Sequence, residues 1–489
     1  MTNRNLARYA TALFLYVLPS ITWSQNNATD VQIETFGSAT SGKHTPFWIA
    51  SNRYGVVPLQ TGNAYLRTGV FHHQSFQNGF HWNVGADLLA STPRYRNFHV
   101  QQLFATIQYK NLNLTIGSKE NHTSLWDKDL SSGDLVFSSN ARPIPEINLS
   151  IPRFTAIPLS KGYLQYRVHV ALGRSFDKRY LQSFTNGEAT YVDKVLWHHK
   201  SLHVRFVDPD GKFPVTVLAG IRHHAQWGGT STNEKLGKQP QSFKDMLRIF
   251  LGMSGGEDAS VSDQINVLGH HCGSYDIQIG YLNAFFDLHC YIQHFFEDSS
   301  GMELYNLPDG LYGFQIDIPN FSPANKIVVE LLTTRHQSGP IHYILFDHEK
   351  YPGYGGGSDN YYNNSEYTTG HSYFNRSIGS PLLTSPEYND NGNLGFQNNR
   401  IRAFHVGFQG YLSKQVSYRL LATASEGWGT MHRPFLKKND NLSLGTKISY
   451  CHPRLEGWLF SGEIASDFGA IYGNNTGVSF SVLRKWRIG

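Results

Sequence analysis

Residues 401–424 read IRAFHVGFQGYLSKQVSYRLLATA, and their spacing decides the fold class. Phe404, Val406, Phe408 and Leu412 alternate with His405, Gly407 and Gln409. After the polar turn Ser413-Lys414-Gln415, Tyr418, Leu420, Ala422 and Ala424 alternate with Arg419, Leu421 and Thr423. A period of two puts each set on its own face of a strand, so the stretch reads as an antiparallel hairpin with one apolar and one mostly polar face. A soluble sandwich shares that local pattern. The recurrence of the hairpin and the chemistry of its two ends separate the possibilities.

The 489-residue chain is 14% aromatic and only 16% charged, with 46 Gly, 31 Phe and 27 Tyr, a usage that favours strands. Its mean hydropathy is −0.37 and no apolar run approaches the length of a membrane-spanning helix, which excludes a helical membrane protein. A transmembrane barrel escapes that test, because only every second residue faces lipid. Residues 1–24 read as a secretory signal: Arg4 and Arg8, an apolar run from Tyr9 to Leu18, then Thr22-Trp23-Ser24 before the cut at Gln25. The expected domain is therefore 25–489. Loss of the two arginines takes the formal charge from +5 to +3, which gives no ground for a nucleic-acid partner.

The alternation recurs along the chain. It is visible at 31–36, 65–74, 80–88, 102–108 and 112–117, and after residue 200 at 202–207 and 215–221. Its cleanest instance is Tyr163 to Gly173, where Leu164, Tyr166, Val168, Val170 and Leu172 face one way and Gln165, Arg167, His169 and Ala171 the other. Arg and His on an inner face imply a polar interior, as in a barrel lumen. Arg167, His169, His289, Arg402 and Arg419 are accordingly read as luminal groups in hydrogen-bond networks. Residues 118–162 break the rhythm with four prolines, and are expected to pack against or inside the main body. Phe243, Met246, Leu247, Phe250 and Leu251 fall at helical spacing, with Ser242 as N-cap and Gly255 beyond the end.

From residue 273 onward the hairpins turn tightly at 280–283, 319–325, 413–415 and 451–456. Their other ends carry polar connections at 297–310, 335–400, 425–441 and 467–476. Short turns on one side and long loops on the other mark an outer-membrane barrel with its long loops outward. Strand parity then sends residues 478–483 inward to a periplasmic C-terminus, with Trp486 at the girdle. At about ten residues per tilted strand plus turns, residues 25–489 supply roughly 16–20 strands. Cys272 and Cys290 fall on opposite strand faces and Cys451 on a turn, so free thiols are expected.

Several stretches are similar to those of a known family. They are His223-His224-Ala225-Gln226-Trp227-Gly228-Gly229, Leu268 to Asp276, Phe295 to Met302 with Pro308-Asp309-Gly310-Leu311, and Gly356 to Asn363. In this order they resemble the capsule assembly protein Wzi family of Bacteroidetes-type outer membranes, from about Gly37 to the C-terminus. The resemblance implies an all-β fold: a transmembrane antiparallel β-barrel of about 18 strands with a plugged lumen. It also implies a small helical element on the periplasmic side, to which the helix at 243–253 would correspond, and a lectin-like role. Capsular or a related surface polysaccharide would be held at the cell surface without being made or exported there.

Strand parity independently places a polar–aromatic group at the outer end: Trp227, Glu297, Asp298, Asp309, Asp359, Asn360, Tyr361, Tyr362, Glu426 and Trp428. Sugars are held by aromatic faces and by carboxylate or amide groups that accept from hydroxyls, so this mixture suits a glycan. The same residue types also form girdles and satisfy turns. Four His-His pairs (72–73, 198–199, 223–224, 270–271) do not make metal sites, because neighbours on a strand point to opposite faces. No G-x-S-x-G, Walker or H-E-x-x-H pattern occurs, so neither a cofactor nor catalysis is expected. The expected partners are surface polysaccharide, outer-membrane lipid and the barrel-insertion machinery. A diffusion channel is the second reading, and an outer-membrane enzyme acting on glycan or lipid the third.

Overall fold

Phe404 is 52% exposed while its neighbour His405 is 1% exposed. That inversion, apolar outward and polar inward, runs around the whole molecule. Leu103, Ile107, Ile279, Ile464 and Phe480 are half or more open on the outside, whereas Asp276, Gln293, Glu330 and Thr423 are buried within. In water this arrangement would be unfavourable on both faces; against hydrocarbon it is the favourable one, because the outer surface gains lipid contacts and every backbone group is paired inside the sheet.

The computed structural model describes residues 24–92, 98–121, 125–337 and 359–489. The signal segment expected at 1–24 lies outside them, apart from Ser24, which opens the first strand. Eighteen strands form one sheet. They are β1 (Ser24–Ser41), β2 (Gly62–Phe76), β3 (Phe80–Ser91), β4 (Phe98–Tyr109), β5 (Leu112–Ser118) and β6 (Glu146–Ala156). Next come β7 (Leu164–Arg174), β8 (Leu196–Phe206), β9 (Val215–Trp227), β10 (His270–Leu282), β11 (Asp287–Phe296) and β12 (Gly310–Asp317). The last six are β13 (Lys326–Thr333), β14 (Ile401–Tyr411), β15 (Val416–Gly429), β16 (Pro434–Cys451), β17 (Trp458–Gly469) and β18 (Asn475–Ile488). Each pairs antiparallel with its neighbours, and β1 closes on β18 from Thr29↔Ile488 to Ser41↔Thr476. Closure leaves no free sheet edge.

Eight turns of two to eight residues join the strands at the end that also carries both chain ends of the barrel. At the other end run the connections 42–61, 119–145, 175–195, 228–269, 297–309 and 334–400. Two expected long loops are strand instead. β15 runs on to Gly429 and β16 starts at Pro434, leaving only 430–433 between them, and β17 and β18 are joined by 470–474. The charged run 434–441 hid that extension, because strand above the membrane has no lipid face to keep apolar. Residues 118–162 also contain a strand that the prolines masked: β6 pairs with β5 and β7, and its register slips between Ile151 and Thr155, around Pro152.

The helix forms where the spacing places it, at α1 (Phe243–Leu251), with a Ser242–Asp245 capping box and Gly252 as its left-handed C-cap. Its position corrects the family expectation. It lies between β9 and β10, at the long-loop end, not at the end of the short turns. Ile249 and Met246 pack on Ala225, Trp227 and Leu268, on the outward side of the wall. Arg402 is a second correction: it is exposed and shares the outward face with Phe404, so it does not face the lumen. Cys272, Cys290 and Cys451 are free thiols, the first buried and the other two exposed.

Candidate functional site

Three of the long connections turn inward. Leu130, Leu135, Val136, Tyr361, Tyr362, Leu382, Leu383 and Phe396 join Phe47, Trp48 and Val57 in one apolar cluster with the inward wall residues Tyr291, Leu311, Val328 and Leu421. Polar anchors fix the register of these segments. Glu330 accepts from the Ser131 hydroxyl (2.6 Å), the Ser132 amide (2.7 Å), the Ser132 hydroxyl (2.5 Å) and the Tyr291 hydroxyl (2.5 Å). Gln293 accepts from the Leu135 amide at 2.7 Å. Arg222 donates to Asp276 at 2.6 Å and pairs with Asp134, while His203 Nε2 lies 2.9 Å from Asp276. His405 Nε2 donates to the Leu130 carbonyl at 2.7 Å, and Lys326 pairs with Asp127 at 2.7 Å near the short-turn end. Arg376 donates to the carbonyl of Ala50 at 2.8 Å and pairs with Glu387 at 2.8 Å, tying two inner segments together. Buried charges in such a lumen persist because each has a partner.

Seven of the ten residues expected to meet a glycan gather at the rim beside β10 to β12, where they hold the loops to one another. Asp298 caps the short turn at Ser300 and Gly301. Asp309 accepts from the amides of His336 (2.9 Å) and Gln337 (2.7 Å), and burial pushes its carboxyl above the usual range. Asn399 donates to Asn360 at 2.7 Å and to the Tyr361 carbonyl at 2.6 Å. Asp359 Oδ2 lies 3.5 Å from the Ser300 hydroxyl. The Tyr361 hydroxyl accepts from Asn306 at 2.6 Å, and the Tyr362 hydroxyl donates to the Leu135 carbonyl. The Tyr362 amide donates to Glu297 at 2.6 Å, and burial drives the Glu297 carboxyl up to about 8.

The other three stand elsewhere. Trp227 is buried beneath α1, and with Tyr361 and Tyr362, also buried, it offers no open ring face. Glu426 pairs with Lys438, and the Arg335 guanidinium sits 3.9 Å from the Trp428 ring centre. Glu426 and Trp428 keep partly open side chains at the top of β15.

A cleft that sequence reasoning passed over opens on the opposite part of the rim, between β3 to β5 and the connection 175–195. Its volume is about 1110 Å³, and Arg142, Phe176, Lys178, Arg179, Tyr180 and Phe374 line it. Phe176 is 64% exposed. The Arg142 guanidinium lies 4.6 Å from the Phe374 ring centre and donates to the Val100 carbonyl at 2.8 Å. Lys178 stands 3.4 Å from Asp193. The open Phe176 ring can stack on sugar C–H surfaces while the neighbouring cations pair with acidic substituents. The signal was present in Arg174-Ser175-Phe176-Asp177-Lys178-Arg179-Tyr180, a basic–aromatic run in one loop.

Comparison with known proteins agrees with this architecture. The fold resembles that of Wzi of Escherichia coli, an outer-membrane protein involved in group 1 capsule assembly and a carbohydrate-binding β-barrel. The TM-score is 0.57 at 10% identity over 98% of this chain and 87% of that one. OccAB2 of Acinetobacter baumannii superposes with a TM-score of 0.50 at 9% identity, over 96% of this chain and all of the other. No sequence relative is found among curated proteins. The family model for capsule assembly protein Wzi matches residues 20–384. The chain is thus an outer-membrane β-barrel and belongs to the capsule assembly protein Wzi family.

Proposed function

We propose that this barrel binds an acidic capsular or related surface polysaccharide at its outer rim and anchors it to the cell without chemical change. The observation that carries the reading is the cationic, aromatic cleft at the long-loop end, on a barrel whose inner segments pack against the inward wall residues Tyr291, Leu311, Val328 and Leu421. E. coli Wzi, whose fold it resembles, is a carbohydrate-binding barrel, which supports the same assignment. Phe176 would stack on a sugar ring while Arg142 and Arg179 meet carboxylate or sulfate groups. The partly open Asp298, Asp359, Asn360, Glu426 and Trp428 are outer contacts for a long chain, and Trp227, Glu297, Asp309, Tyr361 and Tyr362 hold the rim in shape. The apolar belt takes outer-membrane lipid, and the closed sheet is delivered by the barrel-insertion machinery after removal of residues 1–24.

The test is binding of the purified protein, folded in detergent, to polysaccharide isolated from the same cells. Phe176→Ala and Arg179→Ala should each weaken binding by about threefold to tenfold, the loss expected for one stacking or charge-assisted contact. Deletion of the gene should release polysaccharide into the medium with total synthesis unchanged. Unaltered binding by both variants, or abolished synthesis, overturns the proposal. Steady single-channel conductance by the parent protein would favour a diffusion channel instead.

A further inference from the structure

His270 and Cys272 are two residues apart on β10, so both point into the lumen. Glu297 follows β11 directly, and the β10–β11 register (Gly273↔Phe296) carries it alongside Cys272. His270 Nε2 lies 3.5 Å from Glu297 Oε1, and Cys272 Sγ lies 3.7 Å from that oxygen and 3.9 Å from His270 Nε2. An ion with metal–nitrogen and metal–oxygen bonds of about 2.0–2.2 Å and a metal–sulfur bond of about 2.3 Å spaces tetrahedral donors about 3.3–3.6 Å apart. The triangle therefore needs to contract by only a few tenths of an ångström.

We propose that His270, Cys272 and Glu297 form a binding site for a divalent transition-metal cation of the zinc type. Imidazole, thiolate and carboxylate together match zinc, whereas calcium and magnesium favour all-oxygen shells. The surroundings are those of a prepared site. The Tyr362 amide, 2.6 Å from Glu297 Oε1, orients the carboxylate, and the Glu297 side chain keeps 11% of its surface open as a route of entry. His270 is 5% exposed, and its Nδ1 has no hydrogen-bond partner among the described residues. On binding, the sulfur–metal bond replaces the S–H bond of Cys272 and its proton leaves to solvent; no electron is transferred. Three protein ligands leave one position for water or a ligand oxygen. The bound ion ties β10, the connection after β11 and, through Tyr362, the inner segment 359–400 into one unit. The site does not depend on the polysaccharide reading.

The experiment uses the full barrel folded in detergent, stripped of metal and titrated with Co²⁺, in a background carrying Cys290→Ser and Cys451→Ser to remove the two exposed thiols. One equivalent of Co²⁺ should produce a thiolate-to-cobalt charge-transfer band and tetrahedral d–d bands, both displaced by Zn²⁺. Cys272→Ser should abolish the charge-transfer band, and Glu297→Gln should weaken affinity by about tenfold or more. Retained heat-modifiable migration on gels shows that each variant is folded. A parent barrel that shows no saturable band, or a charge-transfer band that survives Cys272→Ser, overturns the assignment.

Discussion

Replacing Glu330 with alanine tests whether the inner segment 125–145 is held where its contacts place it. Glu330 is 1% exposed and accepts four hydrogen bonds, three of them from Ser131 and Ser132. In Glu330→Ala the Ser131 and Tyr291 hydroxyls can rotate toward other acceptors. The Ser132 amide is fixed by the backbone, and its hydroxyl has lost the same carboxylate oxygen. Each stranded buried donor costs about 1–3 kcal/mol, so the local loss is about 3 kcal/mol. Hydrogen exchange of the folded barrel, read by mass spectrometry, should show the amides of 131–136 losing protection by about a hundredfold, since 1.4 kcal/mol is tenfold. Glu330→Gln keeps the shape and one acceptor oxygen and should lose only about 1 kcal/mol. Protection in 131–136 that is the same in parent and Glu330→Ala would refute the reasoning, because the segment would then be held by something other than this carboxylate.

Asp263, in the connection 228–269, gives a pH dependence. Burial and then the neighbouring Glu366 push its carboxyl up to about 7, against the Gly269 amide that donates to it at 3.0 Å. The folded loop keeps a proton that the unfolded loop gives up near the ordinary value of 3.8, so stability falls as pH rises from about 4 to 7 and is level above. Exchange protection in 253–269, corrected for intrinsic rates, should follow that slope, and Asp263→Asn should flatten it; a rising parent profile contradicts the assignment. Gly407 supplies a steric test: a Cβ there would stand 2.4 Å from the Leu130 carbonyl oxygen. Gly407→Val should destabilise the barrel by about 1–3 kcal/mol through overpacking, seen as a lower melting temperature in detergent. An unchanged melting temperature would mean that Leu130 does not pack on β14.

The barrel wall was legible because lipid imposes a rule on each strand separately. Phe404 and His405 cannot exchange places without putting an imidazole in hydrocarbon, so the period of two survives in the sequence at every membrane-spanning strand with an unbroken run. It fails where that constraint is lifted: at β6, where Pro152 shifts the register, and in residues 434–441, which pair above the membrane and keep their charges. Helix α1 was equally legible, since Ser242, Asp245 and the apolar spacing act within two turns. Its place on the outside of the rim was not, because that depends on which strands flank it.

The site residues show the same division. Residue type and strand parity brought Glu297, Asp309 and Tyr361 to the outer end, but their partners lie far along the chain, at Tyr362, Gln337 and Asn306. Whether a tyrosine is an open platform or a buried latch depends on what folds over it, and for Tyr361 and Tyr362 that is the inward-turned 359–400 segment. The pairing of Glu330 with Ser131 and Ser132, and the approach of Glu297 to His270 and Cys272, likewise exist only once strands distant in sequence stand side by side. Alternation is a local consequence of the solvent on each face of a strand, whereas the contents of the lumen and the chemistry of the rim are set by closure of the barrel.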